Sequence, residues 1–212
     1  KKMEKKKDIS YGIIGNNWGN KIYKILNLKG KRVYKIRTFS YFDSKTKYFD
    51  YLSTIIKKKK INIIWLAINP YKNYSLINFF LRENVNMIVE KPWLISDSDT
   101  KKIKSILKKK KLKIFIHFEF LFLNLLRKID KKNIKDIKFE FFTKLKKKSK
   151  IPLKYEFGTH LAAIKLHHFS FIRKVKYHFG YNKIRNKRRI TINYKTKSEI
   201  LDFSNNKSDI IG

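Results

Sequence analysis

Four times in its first 110 residues the chain passes from a short apolar run into a stretch whose apolar residues recur three and four positions apart, and a fifth run follows. A short, nearly continuous apolar run reads as a buried strand, and a 3.6-residue period reads as a helix. The strand-like runs are 9–14, 32–39, 61–68, 85–89 and 113–120. The helix-like stretches are 20–28 (Ile22, Tyr23, Ile25, Leu26), 48–56 (Phe49, Leu52, Ile55, Ile56), 76–83 and 97–108. Gly30 is placed to stop the first helix, Ser96 or Asp97 to cap the fourth, and Asn69-Pro70 to end the third strand. The run at 61–68 is apolar almost throughout, as a central parallel strand covered on both faces must be. Regular alternation of this kind leaves little choice of fold: parallel strands joined by right-handed helical crossovers, with helices on both faces.

Beyond about residue 120 the pattern changes. Residues 137–143 and 188–194 alternate in the manner of half-exposed strands, and 155–171 reads as helical. The fold class expected is therefore α/β. An N-terminal, doubly wound Rossmann-type sheet over 8–120 is followed by a smaller α+β domain over 121–212.

Composition narrows the functional classes. Hydrophobic residues make up 42% and aromatics 15%, a globular balance. There is no cysteine, which removes disulfides and thiolate metal sites and fits a reducing compartment. The histidines lack ligand spacing, so no metal is expected. No run approaches the roughly 18–20 apolar residues of a membrane span. The basic stretch 1–7 is not followed by the apolar core of a secretory signal. A soluble, cytoplasmic protein with no membrane partner is expected.

The formal net charge of +37 has two readings. A basic chain rich in Tyr and Phe can neutralise phosphates and stack bases. Alternatively, Lys, Asn, Ile, Phe and Tyr are the residues of AT-rich codons, and Gly (7) and Pro (3) are scarce. The lysine runs at 57–60, 108–111 and 146–148 fall where helix ends or loops are expected, spread along the chain. Compositional drift is the preferred reading, and no specific nucleic-acid partner is expected.

After the first strand comes Gly15-Asn16-Asn17-Trp18-Gly19. A strand, a glycine turn and a helix form an anion site, because backbone N–H groups and the helix N-terminus converge on a pyrophosphate that the glycines let come close. The usual Gly-x-Gly-x-x-Gly is here one residue shorter. Asn17 stands near the middle glycine, and Asn tolerates positive φ. At the end of the second strand an acid favours NAD and a basic residue favours NADP. Arg37, Thr38 and Ser40 stand there, and Asp43 comes later, in the following loop. The reading leans toward NADP.

Two further stretches carry a resemblance. Ile61-Asn-Ile-Ile-Trp-Leu-Ala67-Ile-Asn69-Pro70 and Met87-Ile-Val-Glu90-Lys91-Pro92 resemble the glucose–fructose oxidoreductase and inositol dehydrogenase (Gfo/Idh/MocA) family. Trp93 and Ser96 continue in the same manner. In that family the strand ending in Ala-x-x-Pro lies beside the cofactor, and Glu-Lys-Pro carries the lysine of the active site. A second, shorter match is Glu156-Phe-Gly158-Thr-His160, against the family's Asp-x-Gly-x-His. The aspartate common three residues further on is here Ala163.

The resemblance implies an NAD(P)-dependent oxidoreductase of sugars, nucleotide sugars or cyclitols, with a shortened C-terminal domain for substrate binding and dimer formation. Lys91, His160 and Glu156 would be its catalytic residues. His160 would exchange the proton, Lys91 would steady charge on the reacting oxygen, and Glu156 would orient His160. Gly15 to Gly19, Arg37, Thr38, Ala67, Asn69, Pro70, Glu90 and Lys91 would contact the cofactor. The partners implied are a small-molecule substrate and a second copy of the chain. The alternatives are an imine reductase of the same fold, since some relatives share a shortened glycine turn, and a non-enzymatic nucleotide-binding protein that has lost its chemistry.

Overall fold

The computed structural model describes residues 8–122, 124–144 and 154–204. They fall into two units that divide between His117 and Phe118.

The first unit is built from β1 (Ser10–Ile14), α1 (Asn17–Leu28), β2 (Arg32–Ile36), α2 (Lys45–Lys59), β3 (Ile63–Leu66), α3 (Asn73–Arg82), β4 (Asn86–Glu90), α4 (Asp97–Lys109) and β5 (Ile114–His117). Its strands run in the order β2-β1-β3-β4-β5, all parallel. The chain moves outward from β1 to β2 and then crosses to β3 on the other side. That reversal opens a crevice at the carboxyl ends of β1 and β3. The register brings those ends to one edge: Ile14 lies level with Ile36 and Leu66, Leu66 with Val89, and Val89 with Ile116.

Burial explains the apolar runs. Ile13, Ile14, Ile64, Leu66, Met87 and Val89 are essentially withdrawn from water, and Leu52, Ile77, Phe80 and Ile103 of the helices join all but Ile13 in one core. Each such side chain contributes about 1.5–3 kcal/mol relative to exposure.

Helices α1, α2 and α3 each begin three residues before their apolar periodicity does, because their opening positions carry no periodic apolar signal, whereas α4 begins at Asp97 as expected. Ser44 caps α2, accepting the Lys47 N–H at 3.2 Å, and Ser96 caps α4 by accepting the Asp99 N–H at 3.2 Å. At α1's end Gly30 takes φ 64°, and its N–H and that of Lys31 close on Asn27 and Leu26. The third strand is shorter than the apolar run 61–68. The Ile61 N–H closes on Ile56 at the end of α2, and Ala67 and Ile68 already belong to the turn after β3. Lys57, Lys58 and Lys59 fill the last turn of α2, and Lys108 and Lys109 that of α4. Cations there complement the helix dipole. The run 146–148 lies outside the described residues.

The second unit opens with a 3-10 turn (Glu119–Phe122) and α5 (Asn124–Arg127). It continues with β6 (Ile134–Lys144), a wide π turn (Lys154–Gly158), α6 (Thr159–His168), β7 (Val175–Asn182), β8 (Lys187–Tyr194) and β9 (Ser198–Asp202). The order is β7-β6-β8-β9. β7 is parallel to β6, and β8 and β9 are antiparallel to their neighbours. Ile137, Phe139 and Phe141 alternate inward from β6 and form one core with Leu161, Ile164, Ile190 and Ile192. The sequence reading missed β7 and β9. Both are edge strands. β7 buries no residue fully, and in β9 one inward position is Glu199 while the apolar Ile200 faces out, so the alternation in burial is not one of residue type. The helix expected over 155–171 is confined to α6.

Candidate functional site

The site of the first unit begins at Gly15. Its φ is 141°, and a Cβ built there would stand 2.1 Å from the Ala67 carbonyl oxygen. The chain therefore turns out of β1 against the end of β3 at a distance only glycine allows. The Gly15 carbonyl accepts from the Lys35 ammonium, which reaches across from β2. Burial pushes that ammonium below its usual pKa. Asn17 differs from expectation: its φ is not positive, and it opens α1 as an ordinary helical residue. The shortened turn works by starting the helix one residue sooner, so no second left-handed position is needed. Gly19 lies on α1, where an added Cβ would meet only ordinary contacts at 3.5–3.6 Å.

Asn16 caps α1 without a side-chain hydrogen bond, and no acid stands in the first turn. Helices α2 and α4 have serine caps. The leading N–H groups of this 12-residue helix are thus left for another acceptor, as at a phosphate-binding helix N-terminus.

Beside the turn lies a cleft of about 640 Å³, within the range of cofactor sites. Gly15, Asn16, Asn17 and Trp18 form one wall, Thr38, Phe39 and Ser40 another, and Ala67 and Asn69 a third. Lys45, Tyr48 and Lys72 also line it, and its lining contains no carboxylate. Trp18 Nε1 and the Tyr48 hydroxyl are buried, and neither has a hydrogen-bond partner among the described residues. Tyr48 is 3% exposed, and burial raises its hydroxyl pKa. Buried polar atoms are almost always satisfied, so two orphans in one cleft fit a site made for a polar ligand. A dinucleotide suits the uncapped helix, the two lysines and the aromatic walls.

The residues expected at the cofactor divide accordingly. Gly15, Asn16, Asn17, Trp18, Thr38, Ala67 and Asn69 line the cleft; Gly19, Arg37, Pro70, Glu90 and Lys91 do not. Arg37 is exposed, and its backbone N–H donates to the Tyr51 hydroxyl at 3.3 Å. Asn69 Oδ1 accepts the Tyr71 N–H at 3.0 Å and starts the turn in which Pro70 is buried. Lys35, Lys45, Tyr48 and Lys72 were not foreseen. In so lysine-rich a chain no single lysine stands out, and Tyr48 reads as core.

Lys91 follows β4, half-buried. Its neighbours are pinned on both sides. Glu90 accepts the Trp65 indole N–H at 2.8 Å and meets His117 Nδ1 at 3.0–3.1 Å. Asn73 Nδ2 donates to the Trp93 carbonyl at 2.9 Å.

In the second unit His160 lies on α6, 1% exposed, with its ring against Phe120 (centroids 4.6 Å) and Phe118 (6.0 Å). Glu119 Oε1 is 3.7 Å from its Nε2. The carboxylate at this histidine thus comes from the 3-10 turn, a position that spacing along the motif does not reveal. Gly158 has open space around it, so no steric demand for glycine exists there. Glu156 falls in the π turn, and its side chain lies outside what the structure describes.

The profile of the oxidoreductase family with NAD-binding Rossmann fold, Gfo/Idh/MocA, matches residues 11–118. The chain belongs to the Gfo/Idh/MocA oxidoreductase family. Solved structures agree in fold with this Gfo/Idh/MocA chain. The WlbA (WbpB) dehydrogenase from Thermus thermophilus, solved with NAD and UDP-GlcNAcA, superposes with TM-score 0.69 at 12% identity, covering 96% of this chain and 84% of its own. The dehydrogenase MviM from Clostridium difficile gives 0.70 at 15%, covering 93% and 78%. The UDP-N-acetylglucosamine 3-dehydrogenase GnnA from Acidithiobacillus ferrooxidans gives 0.68 at 10%, covering 93% and 77%. No curated protein sequence matches the chain. Among the described residues no helix is long and apolar enough to cross a membrane.

Proposed function

We propose that this protein is an NAD(P)-dependent oxidoreductase acting on a carbinol or carbonyl carbon of a sugar, nucleotide sugar or cyclitol. The observation that carries the reading is the cleft beside Gly15, with its uncapped helix N-terminus and its two orphaned donors, Trp18 Nε1 and the Tyr48 hydroxyl. Gly15 to Trp18 would receive the pyrophosphate, and the walls at Thr38 and Asn69 the adenosine. When bound, a nicotinamide dinucleotide gives or takes hydride. Lys91 would donate to the substrate oxygen and stabilise charge developing there. The family motif assigns proton exchange to His160.

NADP is the form the cleft suits. Lys45 and Lys72 line it without any carboxylate, and the Thr38 and Ser40 hydroxyls stand 2.9 Å apart just beyond β2. Those groups match a 2′-phosphate better than a 2′-hydroxyl, which prefers an acid. Arg37 would contribute only charge from the flank.

The test is a fluorescence titration with NADPH and NADH at moderate salt, with ATP and a short oligonucleotide as polyanion controls. The expected result is saturable binding of a reduced nicotinamide, lost in Gly15→Val and not mimicked by the controls. Binding equal for all polyanions and abolished by salt would overturn the reading.

A further inference from the structure

The carboxyl edge of a parallel sheet is where α/β proteins hold their reacting groups. At this edge three side chains from adjacent strands are joined. Trp65 on β3 donates its indole N–H to Glu90 Oε1 at 2.8 Å. His117, the last residue of β5, sits level with Glu90 in the β4–β5 register. Its Nδ1 lies 3.0 Å from one Glu90 oxygen and 3.1 Å from the other. The Trp65 and His117 rings meet edge to face at 5.3 Å. Glu90 is 13% exposed and His117 22%.

From this geometry we infer that His117 is a further acid–base residue of the enzyme, oriented by Glu90, with Trp65 as a positioning residue. The inference rests on the oxidoreductase reading above. A carboxylate only accepts, so the imidazole nitrogen facing Glu90 carries a proton in every state of the ring. In the neutral ring Nε2 is then the basic nitrogen. The tautomer and the ring angle are both set, as in any histidine base held by a carboxylate. Trp65 fixes the carboxylate in turn, so Glu90 cannot swing away from the ring. Glu90 also immediately precedes Lys91, and the same clamp therefore anchors the start of the Lys91 loop.

In the oxidising direction, the substrate O–H proton would pass to Nε2 as the carbon-bound hydrogen leaves with its bonding pair, as hydride, to the oxidised nicotinamide. A carbonyl, the reduced cofactor and an imidazolium result, and the imidazolium returns its proton to water. In this step His117 takes the one O–H proton, which the family motif alone would assign to His160. Nothing in the family motif points to His117, because its orienting carboxylate is 27 residues away in sequence.

The experiment uses the full chain with isotope-labelled histidine and follows the imidazole ¹⁵N resonances, the His117 signals being assigned with His117→Gln. Two results are expected. Neutral His117 shows a protonated Nδ1 and a bare Nε2, and Glu90→Gln and Trp65→Phe each redistribute that tautomer while the His160 signals stay in place. Saturation with NADPH then shifts the His117 resonances. A neutral ring protonated on Nε2, or a tautomer indifferent to both substitutions, overturns the inference. Saturable NADPH binding that leaves the His117 resonances unmoved overturns it also, with the oxidoreductase reading intact. Failure of any nicotinamide to bind overturns that reading and the role of His117 together.

Discussion

The Ala67 carbonyl oxygen occupies the space where any residue but glycine at position 15 would put its Cβ, 2.1 Å away. The obstacle is backbone at the end of β3, so it cannot yield by a rotamer change, and φ at 141° adds strain for any L side chain. Gly15→Ala should cost about 2–6 kcal/mol, the sum of backbone strain and overpacking, and should remove nicotinamide binding. Gly19→Ala meets only ordinary contacts and replaces a helical glycine, so it should be neutral or stabilising by about 0.5–1 kcal/mol. Urea denaturation of the two variants checks the contrast. Equal effects would mean that the turn tolerates what its geometry forbids.

The same contact shows what was legible in the chain. A strand covered on both faces must be largely apolar, so β1, β3 and β4 announced themselves, and Gly15 followed from its place after β1. What lined the cleft was hidden for a physical reason. Lys45 and Lys72 are two among 53 basic residues, and Tyr48 carries the apolar period of α2 while also offering a hydroxyl. The pairing of Glu90 with His117 depends on strand register, which no local pattern encodes. In the second unit the central strands β6 and β8 alternate and were visible. The edge strand β7 buries no residue fully, and β9 turns Glu199 inward and Ile200 outward, against the usual apolar-in pattern.

If Thr38 and Lys45 face the adenosine 2′ position, charge there should set the choice of cofactor. Lys45→Ala should weaken NADPH roughly tenfold, about 1.4 kcal/mol, and leave NADH within about twofold. Thr38→Asp should invert the preference by supplying the missing acid. The Lys45 effect should shrink as salt rises. The same titration at two ionic strengths checks all three expectations. A Lys45→Ala protein that loses both cofactors equally would place the lysine elsewhere than at the 2′ end.

Asp202 and Arg189 face each other across β9 and β8, with Arg189 Nε and Nη2 at 3.1 and 2.7 Å from Oδ2 and the Ser204 N–H on Oδ1. Burial alone would raise the carboxyl, but the Ser204 and Arg189 hydrogen bonds outweigh it and hold the pKa at about 2. A depressed carboxyl stabilises the fold above its unfolded value, about 3.9. That stability is lost as pH falls from there to about 2. The Asp202 side chain is 39% exposed, so screening leaves about 1 kcal/mol rather than the full shift. Asp202→Asn should therefore cost about 1 kcal/mol at neutral pH and almost nothing at pH ~2, measured by urea midpoints. A cost independent of pH would show that the substitution acts through packing.

His168 sits at the end of α6, 7% exposed, with Nε2 donating to the Leu121 carbonyl at 3.0 Å. Burial is the main cause that lowers its pKa below 6.5. The Leu121 bond opposes this, and His167, Lys131 and Arg127 add to it. The folded ring thus resists the proton that the unfolded chain accepts below about pH 6.5. Between that value and the lower folded pKa the unfolded state binds more protons, so stability is lost as pH falls, at up to about 1.4 kcal/mol per unit. Above about pH 6.5 the group contributes no slope. His168→Gln keeps a side-chain N–H for Leu121 and removes the titration. Denaturation at a series of pH values between about 7 and 5 should show the wild-type protein losing stability faster than the variant, with the two curves parallel at higher pH. Parallel curves throughout would assign the acid sensitivity of this unit to another group.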